Sequence, residues 1–199
     1  MSWAVANKIV VVDPGHGGPD GGGTGPSGIL EKEVTLQFAK EVALKFSQAG
    51  SMVKLTREDD NDLSVEGKTI RQRKVEDLKN RVKLANEGGA AVYLSLHTNS
   101  FGSKWSGAQM FYYAESQESK RLAQCIQDEI VRIMGNTHRK PRPLDPYILR
   151  NLKMPAVIIE VGFLSNPQEE KLLLDTNYQS KMAYAIFTGT VKYFASAED

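Results

Sequence analysis

Two hydrophobic rhythms alternate along the chain. Apolar, β-branched runs mark strands buried on both faces, and apolar positions three or four residues apart mark the helices that cover them. The strand-like runs are Ile9 to Val12, Met52 to Thr56, Ala91 to Leu96, Gly107 to Tyr113 and Ala156 to Ile159. Pro146 to Arg150 reads as a short edge strand. Helices are predicted over roughly 32–48 (Val34, Phe38, Val42 and Phe46 inward), 70–87, 116–134, 167–174 and 178–194. Gly50 and Gly88-Gly89 supply helix stops. The polar stretch from Arg57 to Thr69 has no periodicity and reads as a loop. This alternation predicts an α/β fold. It is a single-domain three-layer sandwich with an about six-stranded, mostly parallel sheet and helices on both faces. Residues 1–7 read as an N-terminal tail and 8–199 as the domain.

Three of the strands deliver an ionisable residue at their carboxyl ends. Pro14 stops the first ladder, because it has no N–H, and His16 follows among glycines. The third run ends at His97 and the last at Glu160. If these strands are parallel neighbours, His16, His97 and Glu160 converge on one rim, where ligands of open α/β sheets gather. Two histidines with carboxylates are a zinc constellation. A lone histidine after a strand is more often a satisfied residue than a ligand; three coinciding strand ends reverse that expectation. The glycine-rich stretch from Gly15 to Gly28 leads to Glu31, in or just before the first turn of the next helix. The helix dipole alone favours a carboxylate there. The alternative is that the loop returns to the rim, borders the cleft and presents Glu31 to the metal. Spacing does not decide which of Glu31 and Glu160 binds it.

Composition narrows the field. The 199 residues suffice for one domain with a substantial core. With 25 basic against 24 acidic residues the net charge is +1, so nothing points to nucleic acid. The local clusters Arg71 to Lys74 and His138 to Arg142 read as solvated faces. The single cysteine, Cys125, sits at helical spacing with Leu122, Ile126 and Ile130 and reads as a core thiol. No run is long and apolar enough to span a membrane. Residues 1–7 are too short for a signal peptide, so the protein is cytoplasmic or an export segment precedes this sequence. Gly23-Thr24-Gly25-Pro26-Ser27-Gly28 is a formal G-x-G-x-x-G, but it neither follows a strand directly nor opens a helix. Gly67-Lys68-Thr69 lacks the first glycine and the strand of a P-loop.

Four stretches together carry a resemblance: Asp13-Pro14-Gly15-His16-Gly17-Gly18, Glu31-Lys32, Ser95-Leu96-His97-Thr98-Asn99 and Glu160-Val161-Gly162-Phe163-Leu164-Ser165-Asn166. In order and spacing the chain resembles the zinc-dependent N-acetylmuramoyl-L-alanine amidases of Amidase_3 type over about residues 8–194. It is most like their germination-specific, spore-cortex branch. Two departures stand out: Ser100 occupies a position where the family often has alanine, and the family also often has alanine near Gly23.

The resemblance implies that His16, Glu31 and His97 hold Zn²⁺ and that Glu160 is the catalytic base. It implies hydrolysis of the amide between the lactyl group of N-acetylmuramic acid and L-alanine in peptidoglycan. By the same likeness, the protein is exported to the cell wall or forespore intermembrane space. There it would work in sporulation and germination on the route to muramic lactam, with room for a regulatory protein partner. Three protein ligands leave an open position, at which zinc lowers the pKa of water to ~7 and polarises the carbonyl. Glu160 would take the water proton and pass it to the departing amine. Asp13 is a candidate supporting group that also fits a turn cap. The alternatives are another zinc hydrolase of peptidoglycan, a deacetylase or carboxypeptidase, and a non-catalytic wall-binding module.

Overall fold

The computed structural model describes residues 2–65 and 67–196. Met1 of the expected tail, Glu66 of the expected loop and residues 197–199 lie outside the described residues. Six strands form one sheet: β1 (Ile9–Pro14), β2 (Met52–Leu55), β3 (Val92–Asn99), β4 (Gln109–Tyr112), β5 (Arg142–Pro143) and β6 (Ala156–Phe163). Their order is β2-β1-β3-β6-β4-β5. All neighbours are parallel except β4 and β6, which are antiparallel.

Side chains alternate across this sheet, and the parity decides which layer each residue enters. Val10, Val12, Val92, Leu94, Leu96, Val157, Ile159 and Val161 join the larger core, with Val34, Phe38, Val42, Leu122, Ile126 and Ile186. Those partners come from α1 (Glu31–Gln48), α3 (Gln117–Met134) and α6 (Thr176–Ala195). Val11, Tyr93 and Ile158 face the other way, into a smaller core with Val82, Ala85, Ile148 and Leu149. That layer is made by α2 (Ile70–Glu87) and α4 (Tyr147–Asn151); α5 (Pro167–Leu173) follows β6. Both faces are therefore covered, which is why the central strands read as continuous apolar runs. At the amino end, Val5 closes a short 3₁₀ turn, Ser2–Val5, and is fully buried in the larger core.

Helix starts follow their caps. Thr69 and Gln72 form a reciprocal capping box on α2, Ser116 caps α3, Asn166 caps α5 ahead of Pro167, and Asp175 caps α6. Cys125 is half-buried against the larger core and not fully enclosed.

The stretch from Pro146 to Arg150 corrects the sequence reading: it is helical, and the edge strand is Arg142–Pro143 instead. Ile148 and Leu149 are both buried. A strand would send adjacent side chains to opposite faces, whereas one helical turn puts both against α2. Pro146 has the extended geometry of an N-cap, which proline's fixed φ suits.

Helices α3 and α6 cross at Gly189, where an added Cβ would lie 2.4 Å from Ile126 Cα and 2.8 Å from the Cys125 carbonyl oxygen. Gly189→Ala should therefore push the helices apart and lower stability by roughly 1–3 kcal/mol despite alanine's better helix propensity. The urea unfolding midpoint measures it; an unchanged or raised midpoint would refute this close packing.

Candidate active site

Strands β1, β3 and β6 lie side by side, so their carboxyl ends share a rim. Register places Asp13 beside Ser95, and His97 beside Glu160. The strands do not stop at these residues: β3 continues to Asn99 with a register irregularity after His97, and β6 runs on to Phe163. Glu31 arrives from across the rim as the first residue of α1.

Three ligand-type side chains converge. One ligand atom each from His16, Glu31 and His97 lies within 4.8 Å of the others. His16 Nε2 is 3.2 Å from Glu31 Oε2, and His97 Nδ1 is 3.1 Å from Glu31 Oε1. Glu31 is buried and also accepts hydrogen bonds from the backbone N–H of Gly23 (2.8 Å) and Thr98 (2.9 Å). Burial works against its ionisation, but the bonds and charges of His16 and His97 outweigh that and hold it well below the usual carboxylate range. For His16, burial disfavours protonation, and the Glu31 and Asp20 carboxylates more than reverse it, raising its pKa.

The backbone around His16 is clasped by two guanidinium groups. His16 has φ 63°, an unusual value for a non-glycine residue. Its carbonyl accepts from Arg57 Nε (2.9 Å) and from an Arg81 terminal nitrogen (2.6 Å), and Arg81 also donates to the Pro14 carbonyl (2.8 Å). Arg81 is fixed in turn by Asp13 at 2.6 Å and Asp77 at 2.8 Å. Thr56 and Ser95 donate to the two Asp13 oxygens. Burial opposes the charge on Asp13, but Arg81 and the two hydroxyls hold its pKa at about 2. Asp13 therefore acts on the site through Arg81 and the backbone that carries His16. Sequence reading did not find Arg57 or Arg81. Arg81 sits on the inward face of α2, and only that unusual placement of a charge could have signalled it.

Glu160 has the opposite surroundings. Its Oε2 is buried without a hydrogen-bond partner. Burial pushes its pKa up to about 7; His97 pulls it down, Glu31 raises it and His16 pulls it down. The carboxyl is thus poised to exchange a proton near neutrality.

The glycine loop returns to the rim as expected. The Glu31 backbone N–H donates to the Gly23 carbonyl at 2.8 Å, and a Cβ on Gly22 would lie 2.7 Å from both Glu31 Oε2 and His16 Cδ2. A Cβ on Gly23 would lie 2.0 Å from Ser100 Oγ. Asp20 borders the cleft, with Oδ2 3.0 Å from His16 Nδ1 and 3.0 Å from Lys74 Nζ. His138 is exposed and lies apart from this cluster.

A hydrolase can use such a rim: clustered ligand groups on rigid strands, with a proton-exchanging carboxyl beside them. The chain matches the family described as N-acetylmuramoyl-L-alanine amidase over residues 10–192 and belongs to that family. It is 46% identical to the germination-specific N-acetylmuramoyl-L-alanine amidase of Bacillus subtilis, with 100% of this chain and 84% of the relative aligned. It is 33% identical to the B. subtilis amidase LytC, where 96% of this chain covers 36% of the longer relative. Among solved structures, the CwlD amidase of Clostridioides difficile, determined in complex with the GerS lipoprotein, superposes with a TM-score of 0.92. Identity is 41%, with 96% of this chain and 100% of that chain covered. An N-acetylmuramoyl-L-alanine amidase of Clostridium difficile 630 gives 0.86 at 34% identity, with 96% and 98% covered.

Two tests follow from this geometry. Gly23→Ala should collide with Ser100 and disturb Glu31. In the double variant Gly23→Ala/Ser100→Ala the hydroxyl is gone, so most of the lost activity should return. Additive losses in that cycle would count against the contact. The second test uses metal-free protein. The pKa of Glu160 is raised on folding, so its stabilising share is complete below the unfolded value and lost as pH rises through about 7. Glu160→Gln should therefore be more stable than the parent at pH 8, by at most roughly 3 kcal/mol, and the gap should close near pH 4. A gap that grew on acidification would reverse the sign.

Proposed function

We propose that this amidase is zinc-dependent, with His16, Glu31 and His97 as metal ligands and Glu160 as general base. The observation that carries the reading is the contrast at the rim. Three ligand-type groups crowd one point, while the adjacent Glu160 Oε2 is buried with no protein donor. Two imidazoles and one ionised carboxylate are a donor set suited to zinc. When bound there, zinc would supply a Lewis acid and lower the pKa of water.

The chain's own residues supply the remaining chemistry. Glu31 would offset metal charge, and Asp20, 3.0 Å from the other ring nitrogen of His16, orients that imidazole. Asp13 and Arg81 hold the carbonyl of His16. Glu160 accepts a proton from the attacking water and returns it to the leaving amine of L-alanine. The bond cleaved is the amide between the lactyl group of N-acetylmuramic acid and L-alanine of the stem peptide.

Likeness to the germination-specific enzyme supports action on spore cortex, outside the cytoplasm, on the route to muramic lactam. No helix among the described residues is long and apolar enough to cross a membrane. The CwlD–GerS complex supports a protein partner for this chain as well.

The experiment compares zinc per chain with the appearance of L-alanine amino termini in peptidoglycan. Chelation should abolish turnover, and added Zn²⁺ should restore it. Glu31→Gln should lose zinc and activity together. Glu160→Gln should keep its zinc and lose general acid–base catalysis, typically worth ~10²–10⁴ in rate. Zinc lost from Glu160→Gln but kept by Glu31→Gln would exchange the two roles, and release of amino sugars and acetate instead would mark a deacetylase.

A further inference from the structure

The basic stretch from His138 to Arg142 is a solvated face, as expected, with His138, Lys140 and Arg142 exposed, and it lies beside the rim. In the antiparallel β4–β6 pair, Gln109 stands directly opposite Glu160, so the two side chains share one face of the sheet. Gln109 Nε2 donates to the Lys140 carbonyl at 3.0 Å and ties the basic segment to this position. Gln109, Trp105, Arg139, Lys140, Pro141 and Arg142 line a cavity of about 490 Å³. Three of these six carry positive charge and none is acidic, in a protein whose net charge is only +1. Among the described residues Lys140 and Arg142 make no ion pair.

The cavity is braced. Arg139 lies 5.7 Å from the Trp105 ring centre and 4.9 Å from that of Phe163. The Trp105 carbonyl accepts from Asn166 Nδ2 at 3.0 Å, and the Gly102 carbonyl from Ser165 Oγ at 2.8 Å. The β6–α5 turn that follows the base therefore holds the loop carrying Trp105. Arg142 is fixed in register beside Phe111 on β4.

We propose that this cavity is the subsite for the peptide half of the substrate and that Lys140 and Arg142 take a carboxylate of the acidic residues following L-alanine. The assignment rests on Glu160 being the base. The leaving amine departs on the side of Glu160, and the chain attached to it is the anionic half of the substrate. The glycan half is bulkier and weakly charged. A basic cavity next to the base thus orients the substrate, with its peptide toward β4 and β5 and its glycan toward β1 and the glycine loop.

The test measures kcat and KM for the parent and for Lys140→Gln/Arg142→Gln. One substrate is glycan strands with acidic stem peptides; the other is the same strands with stem carboxyls converted to amides. Lys120→Gln on the outer face of α3 serves as control. On the acidic substrate KM should rise roughly tenfold or more while kcat stays within about twofold, as for loss of a charge-assisted contact made equally in ground and transition states. On the amidated substrate KM should change less than about twofold, and the difference should shrink with added salt, because screening weakens exposed charges. Equal losses on both substrates, or no change on either, overturn the proposal. Calorimetric binding of the released acidic peptide reads the subsite without turnover, and the double variant should bind it roughly tenfold more weakly. Failure to generate L-alanine amino termini would instead sink the assigned reaction while leaving that binding result to stand.

Discussion

The site depends on one buried ion pair, Asp13 with Arg81, closed at 2.6 Å with both side chains almost inaccessible. Such a pair is a weak source of net stability, because desolvation offsets much of the attraction. Its value here is positional. Asp13 satisfies the charge that lets Arg81 sit beneath the turn, and Arg81 spends its remaining donors on the carbonyls of Pro14 and His16. Those bonds, with Arg57 on the same carbonyls, keep His16 at φ 63°. Left-handed geometry costs a non-glycine residue of order 1–3 kcal/mol and persists only where its surroundings over-determine it. Removing Arg81 would leave the buried Asp13 without its cation, a loss of roughly 3–5 kcal/mol, and would release the turn that aims the imidazole.

The convergence of His16, His97 and Glu160 was legible in the sequence because parallel strands have one polarity. Once three apolar runs are neighbours, their ends must meet, and the observed order β1-β3-β6 makes them so. Glu31 was harder to place, since a carboxylate in a first helical turn needs no metal to explain it. The arginines were not legible at all. Arg57 opens a stretch without periodicity, and Arg81 occupies a position where the helical pattern calls for an apolar residue. The α4 segment misled for a related reason: Pro146 suits an edge strand and a helix start alike, and only burial of the adjacent Ile148 and Leu149 separates them.

Gly23 and Ser100 meet at the site. Glycine at Gly23 and serine at Ser100 are 77 positions apart in sequence, yet the hydroxyl of one occupies the space that a Cβ on the other would need. The Ser100 hydroxyl fills the space that a methyl on Gly23 would take, and the backbone N–H of Gly23 reaches Glu31. Only the fold makes them a pair.

The same contrast of surroundings supports the division of labour between the two glutamates. Glu31 lies at the start of α1, where the helix dipole favours a negative charge. It accepts two backbone N–H groups and faces two imidazoles. Every one of those partners stabilises the ionised form, which is the form that binds a cation. Glu160 is placed on a strand interior to the sheet, with one oxygen buried and no donor aimed at it. Nothing there except the histidines favours the charge, so the proton is held loosely enough to be passed on near neutral pH. Chemically identical side chains at one rim are thus driven to opposite protonation behaviour by what the backbone points at them, and that asymmetry is what the proposed roles of ligand and base require.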